Sequence, residues 1–457
     1  MSVESRAVVI GASMGGLLAA RALADFYEQV IVIERDAFPP IGENRKGVPQ
    51  GRHTHALLLR GAEILEGLFP GLIADLVAQG VPIIDRPETD LIWFDGGAYH
   101  ARFTNEDGRI GSLGVSRPLL EGYVRQRLLA LPNVRAIERC DALGLVPSER
   151  CGRARAVRIL RRAGGSAEEV LEADLVVDAS GRGSRAPRWL GEMGYQPPEE
   201  ERVTVNVSGV TRLYRRRPEH LGGAKVVIVT PTPGRPRGGV MVAQEGERWT
   251  LSLLALSGDR PPRDDDGFLG FARSLAAPEI YEVIKDAEPL SAPLPYPFRA
   301  SLRRRYERLT RFPEGLLVFG DALCSFNPTY GQGMSVAAMQ ALDLQVELRR
   351  GTEGVWRRFF RRAASTIDVP WRIVAAGDLR FPEAEGKRTL AVRLTNAYMA
   401  RLHRAAHRDP TVARAFNGVV NLLERPDSLM RPRIAMRVLA GGLGRRTGGR
   451  DGGGAGR

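Results

Sequence analysis

The chain has 457 residues, of which 43% are hydrophobic and 26% charged, a composition that excludes a fibrous or wholly disordered protein. Its three cysteines form no CxxC pair, so the sequence predicts neither a disulfide framework nor a zinc site and favours a reducing, cytoplasmic setting. No run of about 18 uncharged apolar residues occurs, so no membrane span is predicted.

The formal net charge of +13 would suit a nucleic-acid-binding protein, but the arginines that produce it are dispersed along the chain. Two dense runs stand out, RLYRRR ending at Arg217 and the segment around Arg303 to Arg305, and no aromatic-interleaved basic stripe accompanies them. We interpret both runs as solvated faces and predict no nucleic-acid partner.

The first motif lies near the N-terminus, where RAVVIGASMGGLLAARAL has the pattern of a strand (Arg6 to Ile10), a tight turn and a helix. A second β-rich run, EQVIVIERD, reaches Glu34 about 20 residues beyond the turn, as a dinucleotide-binding βαβ unit requires. Gly11 would permit the turn, and Gly16 would let helix and strand pack closely. Ser13 replaces a fingerprint glycine but is small enough to leave the phosphate approach open. A packed strand and helix without a ligand is the alternative interpretation.

Two further segments combine an apolar strand with a turn of small residues. In EADLVVDASGRGSRAPRWLG the strand runs through Val177 into a turn at residues 179–184. In EGLLVFGDALCSFNPTYGQGMSVAAMQAL the strand Leu316 to Phe319 leads to Asp321, and a glycine-rich loop then opens a helix at Met334. An acid at a strand end suits sugar hydroxyls, and a glycine-rich loop aims N–H groups and the helix dipole at negative charge.

The middle of the chain predicts antiparallel strands in TVNVSGVTRLYRR, AKVVIVTPT, GGVMVAQEG and RWTLSLLALS, followed by a helix from Asp264 to Asp286. Residues 356–439 have a mostly helical pattern, with breaks predicted at Pro370, Pro382, Pro410 and Pro426. The final GGLGRRTGGRDGGGAGR has too few apolar residues to pack a core, so we predict a disordered tail.

With these motifs the chain resembles the group A FAD-dependent monooxygenases of the p-hydroxybenzoate hydroxylase type, over roughly residues 8–350. The resemblance implies a mixed α/β fold, with a Rossmann-like FAD-binding domain, an inserted antiparallel-sheet substrate domain and a C-terminal helical region. We expect the FAD-binding domain at 1–85, 105–195 and 300–350 and the substrate domain at 86–104 and 196–299. The helical region would occupy 351–440 and the tail 441–457.

The resemblance also implies which residues bind FAD. The ADP half, the ribityl chain and the flavin ring would be held by Gly11, Ser13, Gly16, Glu34, Arg35, Arg52, Arg117, Gly181, Asp321, Gly331, Gln332, Gly333 and Met334. Pro328, Gly331 and Gly333 would lie beside the flavin, and no side chain is assigned a catalytic role. NADPH or NADH would be the electron donor. Ser180 stands where the family has Asp before Gly181, so direct docking of the nicotinamide is less secure, and a separate flavin reductase is a possible partner.

Within the family the sequence looks most similar to actinobacterial polyether epoxidases, in GVPQGRHTHALLLRG and VPWRIVAAGDLRFPE among other segments. The resemblance implies that O2 and reduced flavin give a C4a-hydroperoxide, which epoxidises a carbon–carbon double bond of an apolar polyketide or terpenoid-like polyene. Phe326, Trp93, Trp249 and Trp371 are candidate substrate residues, each of which is also an ordinary core residue type.

Three enzymatic alternatives stay open at this stage, beside a flavin-binding or basic nucleic-acid-binding protein without enzymatic activity. An aromatic hydroxylase would need a base or proton relay, and no single histidine or tyrosine stands out for that role. A prenyl reductase would saturate an alkene without inserting oxygen, and a halogenase would carry a W-x-W-x-I-P signature, which is missing. His53 and His55 are two residues apart with no third ligand in view, so no metal site is predicted.

Overall fold

The computed structural model describes residues 5–105, 111–148, 152–162 and 167–441. Its strands, numbered in chain order, are β1 (Arg6–Ile10), β2 (Gln29–Ile33), β3 (Ile83–Ile84), β4 (Leu91–Asp95), β5 (Ala98–Tyr99), β6 (Ser112–Leu113), β7 (Val134–Ile137), β8 (Cys140–Pro147), β9 (Ala154–Arg161), β10 (Ala167–Glu172), β11 (Leu175–Asp178), β12 (Glu200–Arg215), β13 (Val226–Val229), β14 (Arg237–Gln244), β15 (Arg248–Ala255), β16 (Leu294–Arg304), β17 (Leu316–Val318) and β18 (Cys324–Ser325). Its α-helices are α1 (Met14–Leu23), α2 (Leu59–Leu68), α3 (Leu72–Ala78), α4 (Pro87–Asp90), α5 (Arg117–Leu129), α6 (Ala186–Glu192), α7 (Asp265–Arg273), α8 (Glu279–Ile284), α9 (Gly333–Leu348), α10 (Val355–Asp378), α11 (Leu390–Ala406), α12 (Pro410–Val420) and α13 (Pro432–Gly441).

A parallel sheet forms the centre of the fold, with its strands in the order β17-β11-β1-β2-β7. Strands β1, β2, β11 and β17 are almost wholly buried, as expected of strands covered on both faces. Helix α1 packs against α5 and α9. Because parallel strands share one direction, the three sequence motifs meet at the carboxyl edge of this sheet, where doubly wound folds bind ligands. The predicted Rossmann-like core is confirmed.

A second large sheet has the strand order β18-β16-β12-β15-β14-β13-β4-β5. Neighbouring strands in it are antiparallel except β13 and β4, which run parallel. Helices α7 and α8 supply Phe268 and Ile280 to a core that includes Trp249 beneath this sheet. The predicted antiparallel sheet is confirmed, whereas the division of the chain into domains stays a prediction.

The single helix predicted from Asp264 to Asp286 is wrong, because the chain forms two shorter helices there, α7 and α8. Pro278 is the N-cap residue of α8. Proline has no N–H to donate and disfavours the helical conformation of the residue before it, so the first helix ends upstream and a second one begins.

The break predicted at Pro370 is also wrong, because α10 continues through that residue. A proline inside a helix costs about 3 kcal/mol. The buried face of the helix outweighs that cost, since Phe359, Phe360, Trp371 and Val374 are all less than a tenth exposed.

The basic run around Arg303 to Arg305 is not the solvated face that the sequence predicts. Arg303 is 1% exposed, and its guanidinium lies 2.6 Å from a carboxylate oxygen of Asp368 on α10. In the other run, Arg212 is buried and lies 2.8 Å from Asp265. Part of the positive charge is therefore neutralised inside the fold rather than presented to a polyanion.

Helices α11, α12 and α13 pack around Leu402, Phe416 and Val438. This group of helices contacts the β4–β5 hairpin, because the Ala101 N–H donates to the Ala406 carbonyl at 2.8 Å. Each helix in the described part of the chain is too short or too polar to cross a bilayer. Apart from residue 441, the tail predicted for 441–457 lies outside the described residues.

We expect Gly16→Ala to destabilise the protein by about 3 kcal/mol, because the added Cβ would lie 1.7 Å from the Gly11 carbonyl oxygen. Gly15→Ala is the matched control, since its Cβ would come no nearer than 3.9 Å to Gly320 Cα. Thermal unfolding followed by circular dichroism checks both. Equal melting temperatures for the two variants would contradict the close approach of strand and helix.

Candidate functional site

The turn between β1 and α1 lies at the carboxyl edge of the parallel sheet. Ser13 is the N-cap residue of α1, yet its side chain accepts no hydrogen bond from the first turn, and that turn holds no acidic residue. Its N–H groups are therefore left without a capping side chain at the positive end of the helix dipole. That arrangement can hold a phosphate.

The Ser13 hydroxyl instead joins the turn to α5. It accepts a hydrogen bond from Nη2 of Arg117 at 2.8 Å and donates to Oε2 of Glu121 at 3.1 Å. A glycine at position 13 would lack this link, so the departure from the fingerprint has a structural role.

Four buried charged side chains surround that link. Arg45 lies 2.8 Å from Glu34 and 2.9 Å from Glu121, and Arg117 lies 2.9 Å from Glu121. Burial alone would raise the pKa of Glu121, but Arg117 and Arg45 lower it, so the carboxylate stays ionised. Glu34 also accepts the Ala12 N–H at 2.8 Å. This charged network ties the end of β2 to the β1 turn and to α5.

Sequence reasoning missed Arg45 and Glu121. Glu121 stands four residues after Arg117, a helical spacing that indicates an ion pair and was an available signal. Arg45 lies in the irregular segment between β2 and α2, where no periodicity points to a partner.

Asp321 follows β17 at the same sheet edge. Its side chain is exposed to solvent, yet desolvation by the surrounding protein raises its pKa, against the opposing effect of Arg117 and Arg182. A Cβ on Gly333, the first residue of α9, would lie 3.8 Å from Oδ1 of Asp321, so the helix start and the acid face the same space.

The start of α9 also lacks a capping side chain and an acidic first turn. Gln332, its N-cap residue, is 2% exposed, and its Oε1 has no hydrogen-bond partner among the described residues. Gly331 adopts a left-handed φ of +66°. Met334 is buried behind the turn, and Pro328 begins the short 3₁₀ turn that precedes it.

The two serines of the middle motif, Ser180 and Ser184, are hydrogen-bonded to one aspartate. Ser180 donates to Oδ1 of the buried Asp178 at 2.5 Å, and Ser184 donates to Oδ2 at 2.6 Å. Gly181 has φ +80°, and a Cβ there would meet nothing within 4 Å, so this residue borders open space. The motif therefore presents no carboxylate at position 180.

The remaining predicted cofactor residues lie at the surface. Arg35 follows β2 and is exposed, and Arg52 is exposed at the end of a 3₁₀ turn, Pro49–Arg52. Burial and then the charge of Arg52 lower the pKa of His53 to about 4. Burial and then Arg117 lower the pKa of His55 to about 4 as well, so both imidazoles are neutral at pH 7.

A chain of hydroxyl groups starts at His53. Its Nδ1 is 3.0 Å from Oγ1 of Thr211, which is 2.6 Å from Oγ of Ser252, and Thr54 Oγ1 lies 2.8 Å beyond. The Tyr296 ring packs on His53 with 4.5 Å between ring centroids. Side chains that pass hydrogen bonds in sequence can relay a proton.

The structure brings together two of the four predicted substrate residues. Phe326 and Trp371 are both buried, with ring centroids 6.5 Å apart, beside the loop that leads to α9. Trp249 lies in the core beneath the large sheet and donates to His220. Trp93 packs against Phe416 among the C-terminal helices.

Asp378, at the end of α10, was missed by the sequence analysis. Its Oδ1 accepts hydrogen bonds from Asn327 at 2.8 Å and from the Tyr330 hydroxyl at 3.1 Å. Burial raises its pKa to about 7, in spite of these two hydrogen bonds and the charge of Arg380. This acid thus holds the loop before α9 and changes protonation state near neutral pH.

Known proteins share sequence with this chain. The chain is 39% identical to protein Rv3254 of Mycobacterium tuberculosis over 393 residues, 83% of this chain and 81% of that protein. It is 28% identical to a kynurenine 3-monooxygenase of Salinispora arenicola over 73% of this chain and 70% of that enzyme. No protein-family model matches the chain.

Solved structures share the fold. The p-nitrophenol 4-monooxygenase PnpA of Pseudomonas putida superposes with a TM-score of 0.63 and 16% identity over 92% of this chain and 99% of that one. The flavin-dependent brominase Bmp2 superposes with a TM-score of 0.64 and 14% identity over 91% and 94%. The chain belongs to one protein family with Rv3254, and it shares the fold of the FAD-dependent monooxygenases that its motifs resemble.

We expect Glu121→Gln to destabilise the protein by about 3 kcal/mol and to lower its flavin content, because Arg45 and Arg117 would lose a shared buried counter-charge. Glu43→Gln is the control, since Glu43 is exposed in the same segment as Arg45. Melting temperature and the ratio of flavin to protein absorbance are the readouts. Equal melting temperatures and equal flavin contents in the two variants would show that the network contributes nothing to stability or flavin binding.

We also expect Asp378→Asn to change how stability depends on pH. Since the folded protein retains a proton that the unfolded chain loses near pH 4, the wild type loses stability between about pH 4 and 7, by on the order of 4 kcal/mol. The variant should lack this slope. Denaturant unfolding at several pH values measures this slope, with the exposed Asp266→Asn as the control. Parallel curves of unfolding free energy against pH for wild type and Asp378→Asn would refute the raised pKa of Asp378.

Proposed function

We propose that the protein epoxidises carbon–carbon double bonds of an apolar polyketide or terpenoid-like polyene, using FAD, O2 and electrons from NADPH or NADH. The proposal rests on the family of the chain and on the side chains beside the loop that opens α9. Its similarity to polyether epoxidases in sequence supports the substrate class.

The carboxyl edge of the parallel sheet would hold FAD. The first turn of α1 would bind the pyrophosphate and Glu34 the ribose, while Asp321 would accept hydrogen bonds from the ribityl chain. The start of α9, residues 331–334, would face the flavin ring.

Two observations fit a ligand of this kind. The first turn of α1 has no capping side chain and no acidic residue, so its N–H groups are open to a phosphate. Oε1 of the buried Gln332 has no partner among the described residues, at the place where the flavin ring would lie. A buried amide oxygen without a partner is costly unless a ligand or water satisfies it.

When bound and reduced, FAD supplies the activation of O2 and an electrophilic oxygen atom. The chain would orient the substrate and exclude water. The uncapped N-terminus of α9 would stabilise negative charge that accumulates on the ring.

The observation that carries the substrate class is the pair of aromatic rings at the loop. Phe326 and Trp371 are buried apolar rings, and the nearby acid, Asp378, is held by Asn327 and Tyr330 with a pKa of about 7. Such surroundings favour an uncharged, apolar substrate over an ionised one.

The electron donor is part of the proposal. Ser180 is hydrogen-bonded to Asp178 rather than free to contact a nicotinamide. Hydride would therefore come from NADPH or NADH without a carboxylate at position 180, or through a separate flavin reductase.

Aromatic hydroxylation is the second candidate. The hydroxyl chain from His53 through Thr211 and Ser252 favours it, because phenol hydroxylation gains from a group that removes the phenolic proton. A protein named kynurenine 3-monooxygenase among the relatives adds support.

The deciding experiment supplies ¹⁸O2 and either NADPH, NADH or an added flavin reductase to the holoenzyme, with farnesyl acetate in one reaction and p-cresol in another. We expect one ¹⁸O atom per epoxide in the first reaction, detected by mass spectrometry. Label in p-cresol alone, together with its loss in Thr211→Val, would replace the epoxidase proposal with the hydroxylase.

Trp371→Leu should raise the fraction of electrons lost as H2O2 several-fold, since the gap would admit water beside the flavin. Trp356→Leu is the matched control, being a tryptophan of the same helix with 6% exposure against 7%. Both variants should lose similar stability. Equal uncoupling in both would remove Trp371 from the proposed substrate pocket.

A further inference from the structure

Three of the six histidines of the chain gather around one aspartate, between the β4–β5 hairpin and α11. Asp95 ends β4, His100 follows β5, and His403 and His407 lie one turn apart on α11. Among the described residues, Asp95, His100 and His403 form a group whose ligand atoms all lie within 4.8 Å of one another. We propose that these three side chains bind a divalent transition metal of the Zn²⁺ type.

The first argument is the geometry of the donor atoms. Oδ2 of Asp95 lies 2.5 Å from Nδ1 of His403 and 3.9 Å from Nε2 of His100. In a tetrahedral zinc site with bonds of about 2.0–2.1 Å, ligand atoms are about 3.3 Å apart. Small rotations of the two rings would therefore bring all three atoms to bonding distance, with water in the fourth position.

The second argument is that the donor atoms are buried and have few polar partners outside the group. The side chains of Asp95 and His100 are 3% and 6% exposed, and that of His403 is 14% exposed. Among the described residues, Nε2 of His100 has no hydrogen-bond partner, while Oδ2 of Asp95 and Nδ1 of His403 contact each other and have no further hydrogen-bond partner. A buried carboxylate needs a cation or hydrogen bonds to offset its desolvation. A metal ion would satisfy all three atoms at once.

The third argument is that the surroundings fix these side chains in place. The β4–β5 hairpin turns through Gly96 and Gly97, both with positive φ, so Asp95 is held at its tip. Nε2 of His407 lies 2.8 Å from the Asp95 carbonyl oxygen, a contact that orients the aspartate backbone. The Trp93 ring stacks on His100, with 4.7 Å between centroids. Outer contacts of this kind orient metal ligands.

The donor set indicates the class of metal. Two imidazoles and one carboxylate suit Zn²⁺ and its neighbours in the first transition row, whereas Ca²⁺ and Mg²⁺ prefer oxygen ligands only. Arg380 acts electrostatically on Asp95, and its positive charge would weaken binding. The ion would join the large sheet to the C-terminal helices, which is a structural role independent of the proposed epoxidation.

The test uses untagged holoenzyme, treated with EDTA, freed of chelator, loaded with ZnCl2 and passed through a desalting column. We expect about one Zn²⁺ per chain by elemental analysis and a melting temperature about 5 °C above that of the chelated protein. Asp95→Asn and His100→Gln should retain fewer than about 0.1 Zn²⁺. His220→Gln, which removes a histidine bonded to Trp249 outside the group, should bind as the wild type does.

Retention of flavin absorbance shows that each variant is folded. If both cluster variants fail to fold, the wild type decides alone, because Co²⁺ in place of Zn²⁺ should then give ligand-field bands at longer wavelength than the flavin. Less than about 0.1 Zn²⁺ in the wild type, or equal uptake by all four proteins, would overturn the proposal. In that case a proton shared between Asp95 and His403 neutralises the cluster.

Discussion

The candidate site depends on a cluster of charges that cannot be separated without leaving one of them buried alone. Glu34, Arg45, Glu121 and Arg117 are each less than a tenth exposed and form a continuous series of ion pairs. Removing one partner of such a set costs more than the set contributes, because the remaining charge stays desolvated. The end of β2, the turn after β1 and the start of α5 are therefore fixed relative to one another. Ser13 belongs to this constraint, since its hydroxyl is hydrogen-bonded to both Arg117 and Glu121.

The part of the site that the sequence predicts best is the part that local sterics determine. The βαβ unit spans fewer than 40 residues, and two of its glycines each have a neighbour that excludes a side chain: the Ala179 carbonyl oxygen for Gly11 and the Gly11 carbonyl oxygen for Gly16. A turn, an acid at a strand end and a glycine before a helix are visible in any short window of sequence. Strand β1 accordingly begins and ends at the predicted residues, and α9 begins one residue before Met334.

What the sequence does not predict is pairing between distant segments. Arg45 meets Glu121, Arg303 meets Asp368 on α10, and Asp95 meets His403 more than 300 positions later. Taken alone, a run of arginines is consistent with a solvated face. The acids that pair with these arginines lie on other elements and become evident only in the folded structure. The sequence also fails to predict the helix through Pro370. Burial of the apolar face of α10 offsets the cost of the proline, and that burial depends on the distant segments that pack against the helix.

The two sides of the proposed FAD site differ in how well residue type predicts their role. The cofactor side uses backbone approach and charge, which restrict the residues that are tolerated. The proposed substrate side uses aromatic surface, and an aromatic ring has the same composition and burial in a core as in a pocket wall. Trp249 and Trp371 illustrate this: both are less than a tenth exposed, yet one lies beneath the large sheet and the other beside the loop to α9. In the proposed pocket, the choice of substrate would therefore depend on shape, set by where α10 places Trp371 against that loop.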